Sequence, residues 1–141
     1  MAEDFFGTTP PAALLLGREV IATDVAAGTA ELRFQARPDF LNRRGYIQGG
    51  MLAAMLDSTL ACPLLGRLAP GESIVTLEMK VSYVRPAHPG TILATGRIVE
   101  RGRSIAFLAG ELRNESGELI ATGTGTFRIL KDRQKNVSDD R

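Results

Sequence analysis

The stretch QGGMLAAMLDSTLACPLL, residues 48–65, decides the fold. Apolar residues fall on nearly every side of it: Met51, Leu52, Ala53, Ala54, Met55, Leu56, Leu60, Ala61 and Cys62. A helix apolar all round is buried all round, so the spacing predicts one long core helix over Gln48–Leu65. Pro63 is expected to kink it or end it early, because proline lacks the N–H that a helix interior needs. Asp57 is the only charge in the stretch.

What surrounds this helix reads as strands. Residues 73–84 alternate cleanly, with Val75, Leu77, Met79, Val81 and Tyr83 on one face and Thr76, Glu78, Lys80 and Ser82 on the other. Further strands are expected at about 91–100, 103–113 and 118–130, after turns at His88-Pro89-Gly90, Arg101-Gly102 and Glu115-Ser116-Gly117. Runs of this length separated by glycine-containing turns read as hairpins. Upstream, residues 18–25 and 29–36 form two more strands joined at Ala27-Gly28, and Pro38 opens a loop over 38–47. A short helix over 9–16 would be capped by Thr9 and ended by Gly17. The expected fold is α+β: one buried helix against a mainly antiparallel sheet of about six strands, plus a short N-terminal helix.

At 141 residues one domain is expected, spanning 1–130. Residues 131–141 are dense in charge and poor in apolar side chains, and read as a disordered tail. The net charge of +1 gives no whole-surface attraction to nucleic acid or membrane, so neither is expected as a partner. The N-terminus carries Glu3 and Asp4 and no basic segment before its apolar run, which argues against a signal peptide and for a cytoplasmic location. Cys62, the only cysteine, reads as a small core residue, and one histidine with one cysteine makes no metal-ligand pattern. Phosphate-binding, dinucleotide and nucleophile-elbow glycine motifs are absent from the sequence, and no cofactor is expected.

Chemistry concentrates around the helix. Asp57 has Ala53, Ala54, Leu60 and Ala61 one turn away, and none can pair with it. Either it lies on a narrow solvent stripe or bonds a backbone N–H of another segment, or it faces a ligand cavity where partial desolvation makes it a better base or nucleophile. Gln48-Gly49-Gly50 opens the helix, where free N–H groups and the dipole favour developing negative charge. Glycine there lets a ligand approach the backbone, although turn geometry alone also explains it. Asn42 reads either as a holder of a carbonyl or water, or as a turn residue bonding locally. The tip Arg101-Gly102-Arg103-Ser104 and loop residues Arg43, Arg44, Arg85 and His88 carry the local positive charge, as phosphate contacts or as solvated turn charges.

Together these features resemble the hotdog-fold thioesterases of the phenylacetate-degradation, PaaI-like group, over about residues 35–130. The shared pattern reads Asn42-x-x-Gly45-x-x-Gln48-Gly49-Gly50-x₆-Asp57, followed by the segment from Val75 to Ala87. The resemblance implies a helix wrapped by an antiparallel sheet, a homodimer as the minimal unit, pairing into a homotetramer, and a site between protomers that takes an aryl- or medium/long-chain acyl-CoA. The CoA belongs to the substrate. It implies Asp57 as nucleophile or general base, Gly49 as oxyanion donor, Asn42 and Thr76 as aids to the water or thioester, and Gly50, Arg85, Arg101, Arg103 and Ser104 beside the substrate. One position departs: Gln48 stands where the family has histidine. It can donate a hydrogen bond but cannot take up a proton near neutral pH. A non-catalytic acyl-CoA-binding protein is the alternative reading. A hydratase is disfavoured because His88 lies outside the helix and its entry loop, and a purely structural module would show no response to CoA.

Overall fold

The computed structural model describes residues 9–132. Helix α1 (Pro11–Leu15) is followed by strands β1 (Glu19–Asp24) and β2 (Thr29–Ala36), then a 3-10 turn (Pro38–Phe40) and the long helix α2 (Gly49–Leu65). Strands β3 (Glu72–Tyr83), β4 (Gly90–Arg101), β5 (Ile105–Asn114) and β6 (Leu119–Lys131) complete it. Lys131, expected to open the tail, instead ends β6; positions 133–141 lie outside the described residues.

The six strands form one sheet in the order β1-β2-β4-β5-β6-β3, every neighbouring pair antiparallel. Its inner face carries Leu32, Phe34, Ile92, Leu108, Leu112 and Phe127 against Met55, Leu56, Leu60 and Leu64 of α2, all essentially fully buried. This is the helix wrapped by a sheet that the resemblance implies.

Two expectations are corrected in β3. It does not form a hairpin with β4 but pairs with β6 at the far side of the sheet. Pro86 and Pro89 break the connection, and Val84 and Arg85 both donate to the Ile120 carbonyl, which carries the chain across the sheet end. The clean alternation is also broken. A bulge between Thr76 and Glu78 adds Leu77 to the strand without a partner. The face therefore switches: Ile74 and Thr76 point inward before the bulge, Met79 and Val81 after it, while Val75 and Leu77 stay exposed.

Helix α1 is shorter than expected, and its N-cap is Pro10, not Thr9, with no side-chain capping bond. Gly17, at φ +60°, ends it as expected; a Cβ there would stand 2.7 Å from Gln35 Cβ. Pro63 neither breaks nor shortens α2, which continues to Leu65. Proline deprives the Thr59 carbonyl, one turn back, of its helical donor. That carbonyl lies so close to β4 that a Cβ on Gly96 would be 2.4 Å from it. The helix is not buried all round either: Ala54 is exposed, and Asp57, Ser58, Ala61 and Leu65 are half-buried.

Candidate active site

Asp57 lies on that open stripe. Ala54, Asp57, Ser58, Ala61 and Leu65 form one wall of a cavity of about 420 Å³. Residues of α1 close it on one side, Ile74 and Thr76 of β3 on another. The two sequence readings of Asp57 thus merge: the stripe is the cavity wall. Thr76 is brought to it by the bulge, and its Oγ1 donates to Asp57 Oδ1 at 2.7 Å. The polar strand face offered as the setting for Thr76 is the wrong one; it reaches Asp57 because it points inward. Arg18, at the edge of β1, lines the same cavity and donates from Nη1 to Ser58 Oγ at 3.0 Å. Sequence reasoning missed Arg18 and Ser58, since 40 positions separate them and no pattern links them.

A second cleft, of about 340 Å³, surrounds the start of α2. Asn42, Arg44, Tyr46, Gly49, Tyr83 and Arg85 line it. Gln48 is the helix N-cap and makes no side-chain capping bond, so the first N–H groups of α2 have no acceptor within the helix. Asn42 Oδ1 accepts the Arg44 and Tyr46 N–H groups at 2.9 and 3.1 Å. This is the local turn role, and it leaves only the Asn42 amide Nδ2 for a ligand. Gly50 is exposed beside Gly49, with open space where a Cβ would stand. Tyr83, read from sequence only as a strand position, donates its hydroxyl to the Gly49 carbonyl at 2.8 Å.

No described residue lines both spaces. Eight residues of helix separate Gly49 from Asp57, a rise of about 12 Å. Within one chain, then, the carboxylate and the free helix N–H groups face different openings.

The basic residues also separate. Arg85 lines the cleft at the helix start, with Nη1 donating to the Leu119 carbonyl at 2.8 Å and Nε 3.4 Å from Glu118. Arg101 lies at the other end of α2, where it donates to the Arg67 carbonyl at 2.9 Å and pairs with Glu72 at 3.6 Å. Arg103 and Ser104 are exposed on the same hairpin tip. Burial pushes the Cys62 thiol above its ordinary value, partly offset by the charge of Arg18, so it stays protonated at neutral pH. Among the described residues there is no cluster of three or more His, Cys, Asp or Glu side chains that could hold a metal. No described helix is long and apolar enough to cross a membrane.

The sequence model of the thioesterase superfamily matches residues 44–121, more than half of the chain and all of α2. The crystal structure of a phenylacetic acid degradation-related protein of Ralstonia eutropha JMP134 superposes with a TM-score of 0.83 at 40% identity, covering 88% of this chain and 95% of that one. The medium/long-chain acyl-CoA thioesterase YigI of Salmonella typhimurium is 26% identical, over 71% of this chain and 74% of its own. The PaaI protein of the Escherichia coli phenylacetic acid degradation operon shares the fold, with a TM-score of 0.80 at 22% identity, over 88% of this chain and 87% of its own.

Proposed function

Because the chain belongs to the thioesterase superfamily, we propose that it hydrolyses acyl-CoA thioesters to a free acid and CoA, with Asp57 as the catalytic carboxylate. The observation that carries this reading is the Asp57 carboxylate held by Thr76 on the wall of an otherwise largely apolar cavity. An aryl or medium/long-chain acyl group suits such a cavity; YigI is a medium/long-chain acyl-CoA thioesterase, and the Ralstonia protein is related to the degradation of phenylacetic acid, an aryl acid.

In this mechanism a water between Asp57 and the thioester carbonyl carbon gives its proton to Asp57 as it attacks. The carbonyl oxygen becomes an oxyanion and is taken by the Gly49 N–H, an interaction worth about 3–4 kcal/mol per donor in other enzymes. Collapse of the tetrahedral intermediate expels CoA thiolate, which then receives the proton from Asp57. A thiolate is a good leaving group, so no strong general acid is needed, and Gln48 can replace histidine by donating to the thioester carbonyl. In the covalent variant of the mechanism Asp57 takes the place of that water: its oxygen attacks the carbonyl carbon, CoA thiolate leaves, and water then cleaves the anhydride to release the acid.

The separation of Asp57 from Gly49 supports a site completed by a second copy. Strand β3 is an edge strand, and Val75, Leu77 and Tyr83 along it and Val84 just past its end are between 43% and 54% exposed. Thr76 lies near one end of β3, and Tyr83, over Gly49, closes the other. Antiparallel pairing of two such edges about Met79 and Lys80 sets Asp57 and Thr76 of one protomer beside the helix start of its partner. The homodimer is the minimal unit in this reading, and two dimers pair into a tetramer. Arg44 and Arg85 at the cleft rim, and Arg103 on its hairpin, are the cations offered to the CoA phosphates.

Release of free CoA thiol from a panel of aryl- and alkyl-CoA thioesters tests the proposal. Turnover is expected from the unaltered protein and none above background from Asp57→Ala. Turnover that survives the substitution sinks the role of Asp57, and tight acyl-CoA binding without turnover in the unaltered protein favours a binding protein instead.

A further inference from the structure

The start of α2 is not left to fix its own geometry. The Tyr83 ring lies against Gly49 so closely that a Cβ there would meet Cζ at 3.2 Å, Cε1 at 3.4 Å and the hydroxyl oxygen at 3.4 Å. The hydroxyl donates to the Gly49 carbonyl at 2.8 Å. These two contacts act on neighbouring atoms for different reasons. Ring contact with the bare α-carbon sets how far α2 projects into the cleft. The hydrogen bond fixes the plane of the peptide between Gly49 and Gly50, whose N–H is the second free donor at the helix start. A carbonyl that accepts a hydrogen bond also polarises its peptide, which strengthens the N–H on the other side as a donor.

Within the chain Tyr83 does little for the core, and the ring it offers to a partner edge is kept in Tyr83→Phe. Tyr83 closes an edge strand and is 53% exposed in the chain, so burial of its ring contributes little to the core. A pair of flexible glycines at a helix start is otherwise poorly constrained, because glycine has the widest backbone freedom of any residue. Gln48 makes no side-chain capping bond that would supply the constraint. Among the described residues, the side chain that bonds to this double-glycine start comes from another element, 34 positions away in sequence.

We infer that Tyr83 is a positioning residue for the oxyanion donors of this thioesterase: its ring seats the α-carbon of Gly49, whose own N–H is the donor named above, and its hydroxyl holds the adjoining Gly49–Gly50 peptide, whose N–H is a second donor to the developing charge. The inference rests on the thioesterase reading and deepens it. Tyr83 acts through the backbone and touches no reacting atom. Its loss therefore weakens stabilisation of the transition state and leaves substrate binding nearly unchanged.

Tyr83→Phe keeps the ring and removes only the hydroxyl. It is expected to lower kcat about tenfold, the effect of one neutral hydrogen bond, with KM within about twofold of the unaltered protein. The thermal midpoint should not move. The Gly50 amide proton, followed by NMR without substrate, should shift upfield as its peptide loses the hydrogen bond. Tyr83→Leu, which also removes the ring, should lower kcat further. An unchanged kcat in Tyr83→Phe overturns the inference, as does a Gly50 amide that stays in place or a loss of kcat that only follows a loss of folded protein. Asp57→Ala in the same assay keeps the two failures apart. No turnover in the unaltered protein overturns the thioesterase reading, turnover surviving in Asp57→Ala overturns the role of Asp57, and turnover lost there but untouched in Tyr83→Phe overturns this inference alone.

Discussion

Thr76 shows how a single side chain can be assigned its part. A half-buried carboxylate needs its lone pairs satisfied, and the Thr76 hydroxyl satisfies one at 2.7 Å. Thr76→Val keeps the shape and removes the donor. In the thioesterase reading Asp57 then rotates freely, and kcat should fall about tenfold, the worth of one hydrogen bond to a charged group. Thr76→Ser, which restores the hydroxyl, should recover most of it; equal rates for the two variants would detach Thr76 from the chemistry. At this scale the sequence is informative where a residue violates its surroundings. Asp57 is legible because it is a lone charge among apolar neighbours. Arg18 and Tyr83 are not, because each is ordinary in its own strand and gains its meaning only from what a distant segment brings against it. Asn42 is legible as one of two things; its Oδ1 serves the turn by accepting from Arg44 and Tyr46, and its Nδ2 is left for a ligand.

At the scale of elements, residues become legible through periodicity, and periodicity fails where the backbone adds or withholds one unit. The alternation from Val75 to Tyr83 correctly marks a strand, yet the extra residue at Leu77 reverses the face half-way along it. A bulge leaves no mark on composition, since Leu77 is as good a strand residue as its neighbours. The same bulge is what delivers Thr76 to Asp57. Pro63 misleads in the opposite direction. It signals the end of a helix, but its cost is mainly the donor denied to the Thr59 carbonyl, and in this fold that carbonyl is turned against Gly96 of β4. The contact between helix and sheet is therefore closest at these two backbones, and it yields a sharp expectation. In Gly96→Ala the new methyl would begin 2.4 Å from a backbone oxygen that no rotamer change can move. The helix must lift from the sheet, at a cost of about 3 kcal/mol read from denaturant unfolding. Gly50→Ala is the control: it meets open space at a helical position and should leave stability equal or slightly higher. A Gly96→Ala protein as stable as the unaltered one would mean that the helix does not rest on the sheet there.

For the whole molecule, the strand count and the single wrapped helix were legible, because a helix apolar on nearly every side needs a sheet broad enough to curl around it. The strand order was not, since β3 passes over its sequence neighbour β4 to lie beside β6, and local turn signals carry no information about such a crossing. That placement leaves β3 at an edge with exposed apolar side chains and leaves Asp57 and Gly49 facing different openings. If two copies pair through β3, each site takes its carboxylate from one chain and its oxyanion donor from the other. Complementation tests this without any structure of the assembly. Asp57→Ala and Gly49→Val are each expected to be inactive alone, for they disable different halves of every site: the first removes the carboxylate, and the second keeps the backbone N–H but crowds it with a side chain driven against Tyr83. When the two are unfolded together and refolded as a mixture, half of the dimers are hybrids. In a hybrid one site carries both lesions and the other carries neither, so about a quarter of the unaltered activity should return. A site contained in one chain would return nothing, because every chain in the mixture still carries one of the two lesions.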